Sequence, residues 1–241
     1  MSFMRFAFVA VASLLLSSCI LSPGKFVSTL NIGKDRSFTF TYVGEVILLD
    51  PAAAMQQGMQ EGLAAAAADT VDSEGNSVAP AEPAQPAESP ADKAAAKARQ
   101  DAEARAVAEA LSKEVGYRSV EYLGDNRFKV DYSMSGKLDR SFIFPINLDA
   151  KSIIPWLAIE VRTDGTARVK AIAFGDPDEG MGSAAKPDSP DRERNGTFTF
   201  TTDATLVMQN NEDGMAPGPG TRVVWKVTPT SKSVPTAVVK F

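Results

Sequence analysis

Few residues of this chain have types and spacing that could perform chemistry. A serine is followed three residues later by a lysine at Ser22 and Lys25, and again at Ser183 and Lys186. On a helix this spacing can set an amine beside a serine nucleophile, but neither pair has the Ser-Asp-Asn or Lys-Thr-Gly companion motif. The chain has no histidine and one cysteine, Cys19. Composition therefore excludes Ser-His-Asp, Cys-His and imidazole–zinc sites, and we predict no catalytic residues and no enzyme activity.

Acidic residues gather in one polar stretch. Asp176, Asp178 and Glu179 could offer oxygen ligands to calcium. An EF-hand loop would need an acidic residue or asparagine at 180 and glycine at 181, where Gly180 and Met181 stand. The stretch is therefore predicted to be a solvated acidic loop, with no metal or cofactor.

Cys19 ends a segment that has the three parts of a secretory signal. Arg5 supplies a positive start, residues 6–16 are uninterrupted apolar residues, and Ser17 and Ser18 are small. The apolar run is far shorter than the roughly 20 residues that span a bilayer. Leu16-Ser17-Ser18-Cys19 resembles the lipobox of bacterial lipoproteins.

That resemblance implies a signal peptide over residues 1–18, cleavage between Ser18 and Cys19, and acylation of Cys19 by chains such as palmitate. Several acyl chains give stable membrane attachment where one does not. The residue after Cys19 is Ile20 rather than aspartate, which resembles the default outer-membrane signal of proteobacterial lipoproteins. The expected location is the outer membrane, facing the periplasm, or the cell-envelope membrane of a host that is not Gram-negative.

Charge restricts the partners. The chain has a formal net charge of −5, which becomes −6 when Arg5 leaves with residues 1–18. An acidic chain lacks the basic face that nucleic acids require. Broad attraction to an anionic bilayer is not expected either, so attachment should depend on the lipid.

The rest of the chain is organised as β-hairpins around one helix. Runs of alternating polarity predict hairpins over 26–48, 117–134 and 158–174, and Gly44 predicts a bulge or a close backbone approach. An Ala, Lys and Glu-rich run predicts a helix over 92–115, of which only the second half should pack. The fold class is therefore α+β, an antiparallel meander with one long helix.

We predict six segments. The stretch 51–90 is rich in alanine and methionine and then in proline, without aromatic residues, so it is expected to be a flexible insertion. In chain order the segments are a signal peptide (1–18), the anchor and first hairpin (19–50), the insertion (51–90), the helix and meander (91–175), a polar loop (176–196) and C-terminal strands (197–241).

This order of elements resembles the ectodomain of LppM-type lipoproteins, with local similarities at Gly116-Tyr117 and at residues 224–227. The resemblance implies binding of an amphiphilic envelope lipid. The predicted function is a membrane-anchored, non-catalytic periplasmic binding module; the alternative is a structural or assembly partner of an envelope complex, docking through residues 51–115.

One apolar cluster has no place in the strand alternation. It could form an exposed lip that touches a ligand or the membrane, or a buried crossover between strands. Its residues are Ile153, Ile154, Trp156 and Leu157.

Overall fold

The computed structural model describes residues 20–49, 89–145, 155–175, 193–218 and 220–241. Over these ranges the chain is mostly β, with one α-helix and a 3-10 turn at Ile172–Phe174, which confirms the predicted fold class. The strands are β1 (Ile20–Ile32), β2 (Ser37–Leu49), β3 (Tyr117–Gly124), β4 (Arg127–Lys137), β5 (Phe142–Phe144), β6 (Leu157–Val161), β7 (Thr166–Lys170), β8 (Asn195–Thr202), β9 (Thr205–Gln209), β10 (Thr221–Val227) and β11 (Thr236–Lys240). The helix α1 spans Pro90–Leu111.

Two sheets form. Sheet A has the strand order β10-β8-β1-β2-β4-β3, and sheet B has the order β5-β6-β7-β11-β9. The three predicted hairpins are present as β1–β2, β3–β4 and β6–β7. Among the described strands, all pairings are antiparallel except that of β1 with β8, which is parallel.

The core lies between the inner faces of the two sheets and is largely aromatic. Phe40 of sheet A packs at 4.9 Å, centroid to centroid, from Phe144 of sheet B, and Tyr42 lies 5.9 Å from the same ring. Phe26 stacks at 4.4 Å on Phe174 of the 3-10 turn. Tilted and offset ring pairs of this kind add to the free energy gained by burying the side chains.

The contacts divide the chain into two units. One comprises residues 20–49 and 103–241 and contains both sheets; the other comprises residues 1–19 and 50–102, of which 89–102 are described. The predicted insertion up to residue 88 and the acidic stretch 176–192 lie outside the described residues.

Helix α1 begins with a side-chain cap. Ser89 Oγ accepts a hydrogen bond from the Asp92 amide at 3.2 Å, which is the N-cap contact, and its hydroxyl donates to Asp92 Oδ2 at 2.7 Å. The helix ends at Leu111, four residues before the predicted end. In the half that belongs to the larger unit, Ala104 and Ala108 are buried, so this half packs as predicted.

Candidate functional site

The predicted lip residues divide into two pairs. Ile153 and Ile154 lie outside the described residues, while Trp156 is 3% exposed and Leu157 is fully buried. Trp156 Nε1 donates a hydrogen bond to the Leu21 carbonyl at 3.1 Å. Trp156 and Leu157 are therefore core residues and not an exposed lip. The Trp156 ring, directly before β6, packs on Tyr42 and Phe144, and Leu157 is the first inward residue of β6.

The other predicted chemistry finds no site in the described part of the chain. Ser22 is buried and Lys25 is exposed on strand β1, so their spacing does not place them together as a helix would. Ser183 and Lys186 lie outside the described residues, as do Ser18 and Cys19. Among the described residues, no three acidic, histidine or cysteine side chains form a group that could hold a metal ion. The same residues contain no helix long and apolar enough to cross a bilayer.

A shallow, open groove of about 710 Å³ lies on the outer face of sheet A, across strands β8, β1 and β2 and the end of β10. Its lining combines apolar side chains, hydroxyl and amide groups and two lysines, with no acidic residue. The lining residues are Lys25, Phe26, Val27, Val43, Asn195, Gly196, Thr197, Lys226, Val227 and Thr228.

The floor of the groove is one row of residues across four strands. Val43 pairs with Val27, Val27 with Thr197, and Thr197 with Lys226. Adjacent strands are about 4.8 Å apart, so the row is about 14 Å long. Val27 is 56% exposed and Val43 is 44% exposed. The row thus has two exposed valines and, at its β10 end, a lysine, over a length that suits an amphiphile; Asp131 of β4 follows Val43 at the other end.

A β-bulge positions the second lysine. The register of β1 against β2 shifts between Pro23 and Phe26, so Lys25 has no partner on β2 and projects at the rim. A Cβ atom at Gly44 would overlap Phe26 and the Lys25 carbonyl, which confirms the predicted close approach at this glycine. Gly196 of β8 allows the same close approach to Phe26 from the neighbouring strand, since an added Cβ there would lie 2.7 Å from Phe26 Cδ1.

Three carboxylates lie beside the groove, and each is close to an arginine. Asp131 pairs with Val43 across β2 and β4 and lies 3.9 Å from Arg118. Arg127 lies 2.5 Å from Glu193 Oε1 and 3.7 Å from Glu45 Oε2. Its hydrogen bond lowers the pKa of Glu193, and the charge of Lys25 contributes in the same direction. Neither Lys25 nor Lys226 forms a salt bridge with a residue of the described ranges. The lining itself therefore carries two positive charges and no negative one, while carboxylates and arginines alternate around it.

The remainder of the outer face is polar and internally hydrogen bonded. Thr29 pairs with Thr41 at 2.6 Å, and Asn31 donates to Thr201 at 2.8 Å. These hydroxyl pairs satisfy one another, so the exposed valines of the groove stand out on an otherwise polar face. Sequence reasoning missed the groove, although the two valines at polar positions of their strands were its signal.

Comparisons with known proteins add one likeness. No family model matches the chain, and no curated protein matches it. The NMR structure of the folded domain of the Mycobacterium tuberculosis LppM protein is similar, with 13% sequence identity, 92% of each chain covered and a TM-score of 0.32. This agrees with the resemblance predicted from the order of elements. It names no ligand-binding residue, so the functional argument rests on the groove.

Proposed function

We propose that this chain is a lipoprotein held at a cell-envelope membrane by acylated Cys19, and that its globular part is a non-catalytic module that binds an amphiphile with an anionic head group. The observation that supports this is the groove on sheet A, in which two exposed valines share a row with Lys226, and Lys25 lies two residues from Val27 on β1.

The chemistry of the lining selects the ligand. An acyl or other apolar segment would cover Val27 and Val43, and a phosphate or carboxylate would reach one of the lysines. Thr197 and Thr228 add hydroxyl groups for the polar part of the ligand. A neutral or cationic amphiphile would leave both ammonium groups without a counter-charge.

The expected affinity is modest. Covering two half-exposed valines contributes about 2 kcal/mol, since full burial of such a side chain contributes about 1.5–3 kcal/mol. Each exposed lysine adds at most about 1 kcal/mol. Binding costs lower the sum, so micromolar or weaker binding is expected.

The test uses the full chain purified in a mild detergent. Fluorescent phosphatidylglycerol is the anionic probe, and fluorescent diacylglycerol, which has no phosphate, is its neutral counterpart. Lys25→Glu with Lys226→Glu should weaken phosphatidylglycerol binding about tenfold or more, because two attractive charges become repulsive. The matched control is Lys129→Glu with Arg222→Glu, an equal charge change outside the groove lining.

Equal binding of the two probes by the unmodified protein, or equal loss in the groove variant and the control, would contradict the proposal. The anchor is tested separately. Radiolabelled palmitate should enter the protein in cells and should not enter Cys19→Ser.

A further inference from the structure

The outer face of sheet B is strongly basic. In β6 and β7 the residues Leu157, Ile159, Ala167 and Val169 are buried, so the residues between them face outward. Four cations and one acid occupy the outward positions on β6, β7 and β11, counting the residue directly after β6. The cations, named the basic face below, are Arg162, Arg168, Lys170 and Lys240.

The register brings these cations together. Lys170 pairs across the strands with Ala158, Arg168 with Glu160, and Lys240 with Thr166. The three strands are neighbours in sheet B, so the cations span about 10 Å across the strands. Along the strands they span about 13 Å, because Lys170 is four residues from Thr166, the partner of Lys240. Arg162 lies 4.0 Å from Glu160, the acid of this face. Lys170 and Lys240 form no salt bridge with other residues in the described ranges.

The basic face contrasts with the charge of the whole chain. The chain has a net charge of −5, but the described residues contain 21 lysines and arginines against 17 aspartates and glutamates. Seven of the remaining acids lie in residues 50–88, which contain no lysine or arginine. The described residues therefore carry a net positive charge within an acidic chain. The outward positions of sheet B have an excess of three positive charges, or two when Asp164 in the β6–β7 turn is counted.

Apolar side chains are interleaved with these cations. Ile143, 47% exposed, pairs with Ala158 beside Lys170. Met208, 44% exposed, pairs with Val238, which pairs with Arg168. Basic residues mixed with exposed apolar ones suit the headgroup region of an anionic bilayer, where cations meet phosphates and the apolar groups leave water.

The start of β1 lies beside this sheet. The Leu21 carbonyl accepts the hydrogen bond from Trp156, the residue directly before β6. Cys19 precedes Leu21 by two residues, at most about 7 Å of extended chain. An acylated Cys19 would therefore attach the domain to the membrane with almost no tether, close to sheet B.

We propose that the basic face docks onto the anionic phospholipid headgroups of the membrane that holds the anchor. This inference rests on the proposed acylation of Cys19 and is independent of the groove. The groove lies on the outer face of the other sheet, so docking leaves it open. The orientation of the domain is then set by two contacts, the acyl chains and the basic face.

The test uses the lipidated full chain in vesicles of phosphatidylcholine alone or with a third phosphatidylglycerol. Cys19 is the one cysteine and would be acylated, so a cysteine introduced elsewhere can be labelled selectively with a fluorophore. Met208→Cys reports on the basic face and Thr39→Cys on the outer face of sheet A. Quenching by spin-labelled lipid should be at least about threefold stronger for the label at 208 than at 39 in anionic vesicles, and salt should reduce the difference.

Charge reversal supplies the matched comparison. Lys170→Glu with Lys240→Glu should abolish the difference in quenching, and Lys129→Glu with Arg222→Glu should leave it unchanged; Lys170→Gln with Lys240→Gln provides a milder version. Circular dichroism checks the fold of each variant. If the protein fails to float with vesicles, the anchor proposal fails. If it floats and the two labels are quenched equally, or quenching at 208 ignores lipid charge, the docking inference is overturned.

Discussion

Gly44→Ala should destabilise the protein, because the missing side chain at this position allows β1 to form its bulge. An alanine Cβ would overlap the Lys25 carbonyl and lie 2.6 Å from Phe26 Cα. Both are backbone atoms, held on the other side by the pairing of Phe26 with Gly196. The strand cannot yield by a side-chain rotation, so β1 or β2 has to shift.

Overpacking of this kind costs about 1–3 kcal/mol. Replacing glycine with alanine recovers about 0.4–1 kcal/mol by restricting the unfolded chain. The expected net loss is therefore about 1–2 kcal/mol. For a domain of this size that corresponds to a fall in Tm of about 2–8 °C.

Gly136→Ala in β4 is the matched control. Its added Cβ would meet only the edge of the Phe38 ring, at 3.2 Å from Cε1, and a ring can move by a few tenths of an ångström. Urea and thermal unfolding of the full chain should place this variant within about 0.5 kcal/mol of the unmodified protein. A Gly44→Ala protein as stable as the Gly136→Ala protein would refute the account of the bulge, and with it the positioning of Lys25.

Three further predictions concern other contacts. Trp156→Phe removes the hydrogen bond to the Leu21 carbonyl and part of a buried ring, so the free energy of unfolding, measured by urea titration, should fall by about 2 kcal/mol. An unchanged free energy would show that this contact does not stabilise the start of β1. Hydrogen bonds from Ser37 and Lys137 lower the pKa of Asp35, so the Asp35 carboxylate stabilises the folded protein above its ordinary pKa of 3.8 and this stabilisation is lost as the pH falls below that value. The free energy of unfolding of Asp35→Asn should therefore depend less on pH in that range, and a pH profile equal to that of the unmodified protein would contradict this. Ser89→Ala removes the N-cap of α1 and should destabilise that helix by about 1 kcal/mol. Amide exchange in the first turns of α1 should become faster in this variant but not in Gly136→Ala, and unchanged exchange in Ser89→Ala would show that the cap does not stabilise the helix.

The local parts of the fold could be predicted from the sequence. Each hairpin joins neighbouring strands, and the helix start has its own capping residues, so a short window contains the evidence. The pairing of β1 with β8 could not be predicted in this way, because 170 residues separate Val27 from its partner Thr197. Nothing in either strand specifies the other beyond a similar pattern of alternation.

The groove was hidden for the same reason. The alternation placed Val27 and Val43 on the polar side of their strands, but only the register shows that they are opposite each other. Lys226 joins them through β8 and β10, which are distant in sequence. Trp156 shows the opposite case, since an apolar run without clear alternation proved to be the start of a core strand.

Net charge was the least informative quantity, because it averages over segments that differ. The acidic excess of the chain comes from stretches such as 50–88, whereas the strands of sheet B carry more cations than acids on their outer face. Exposed charges farther apart than about 10 Å are largely screened at ordinary ionic strength. A membrane close to sheet B would therefore interact with Lys170, Lys240 and their neighbours rather than with the average of the chain. Attachment by the lipid alone, as the composition suggested, is the expectation that the vesicle experiment sets against docking by the basic face.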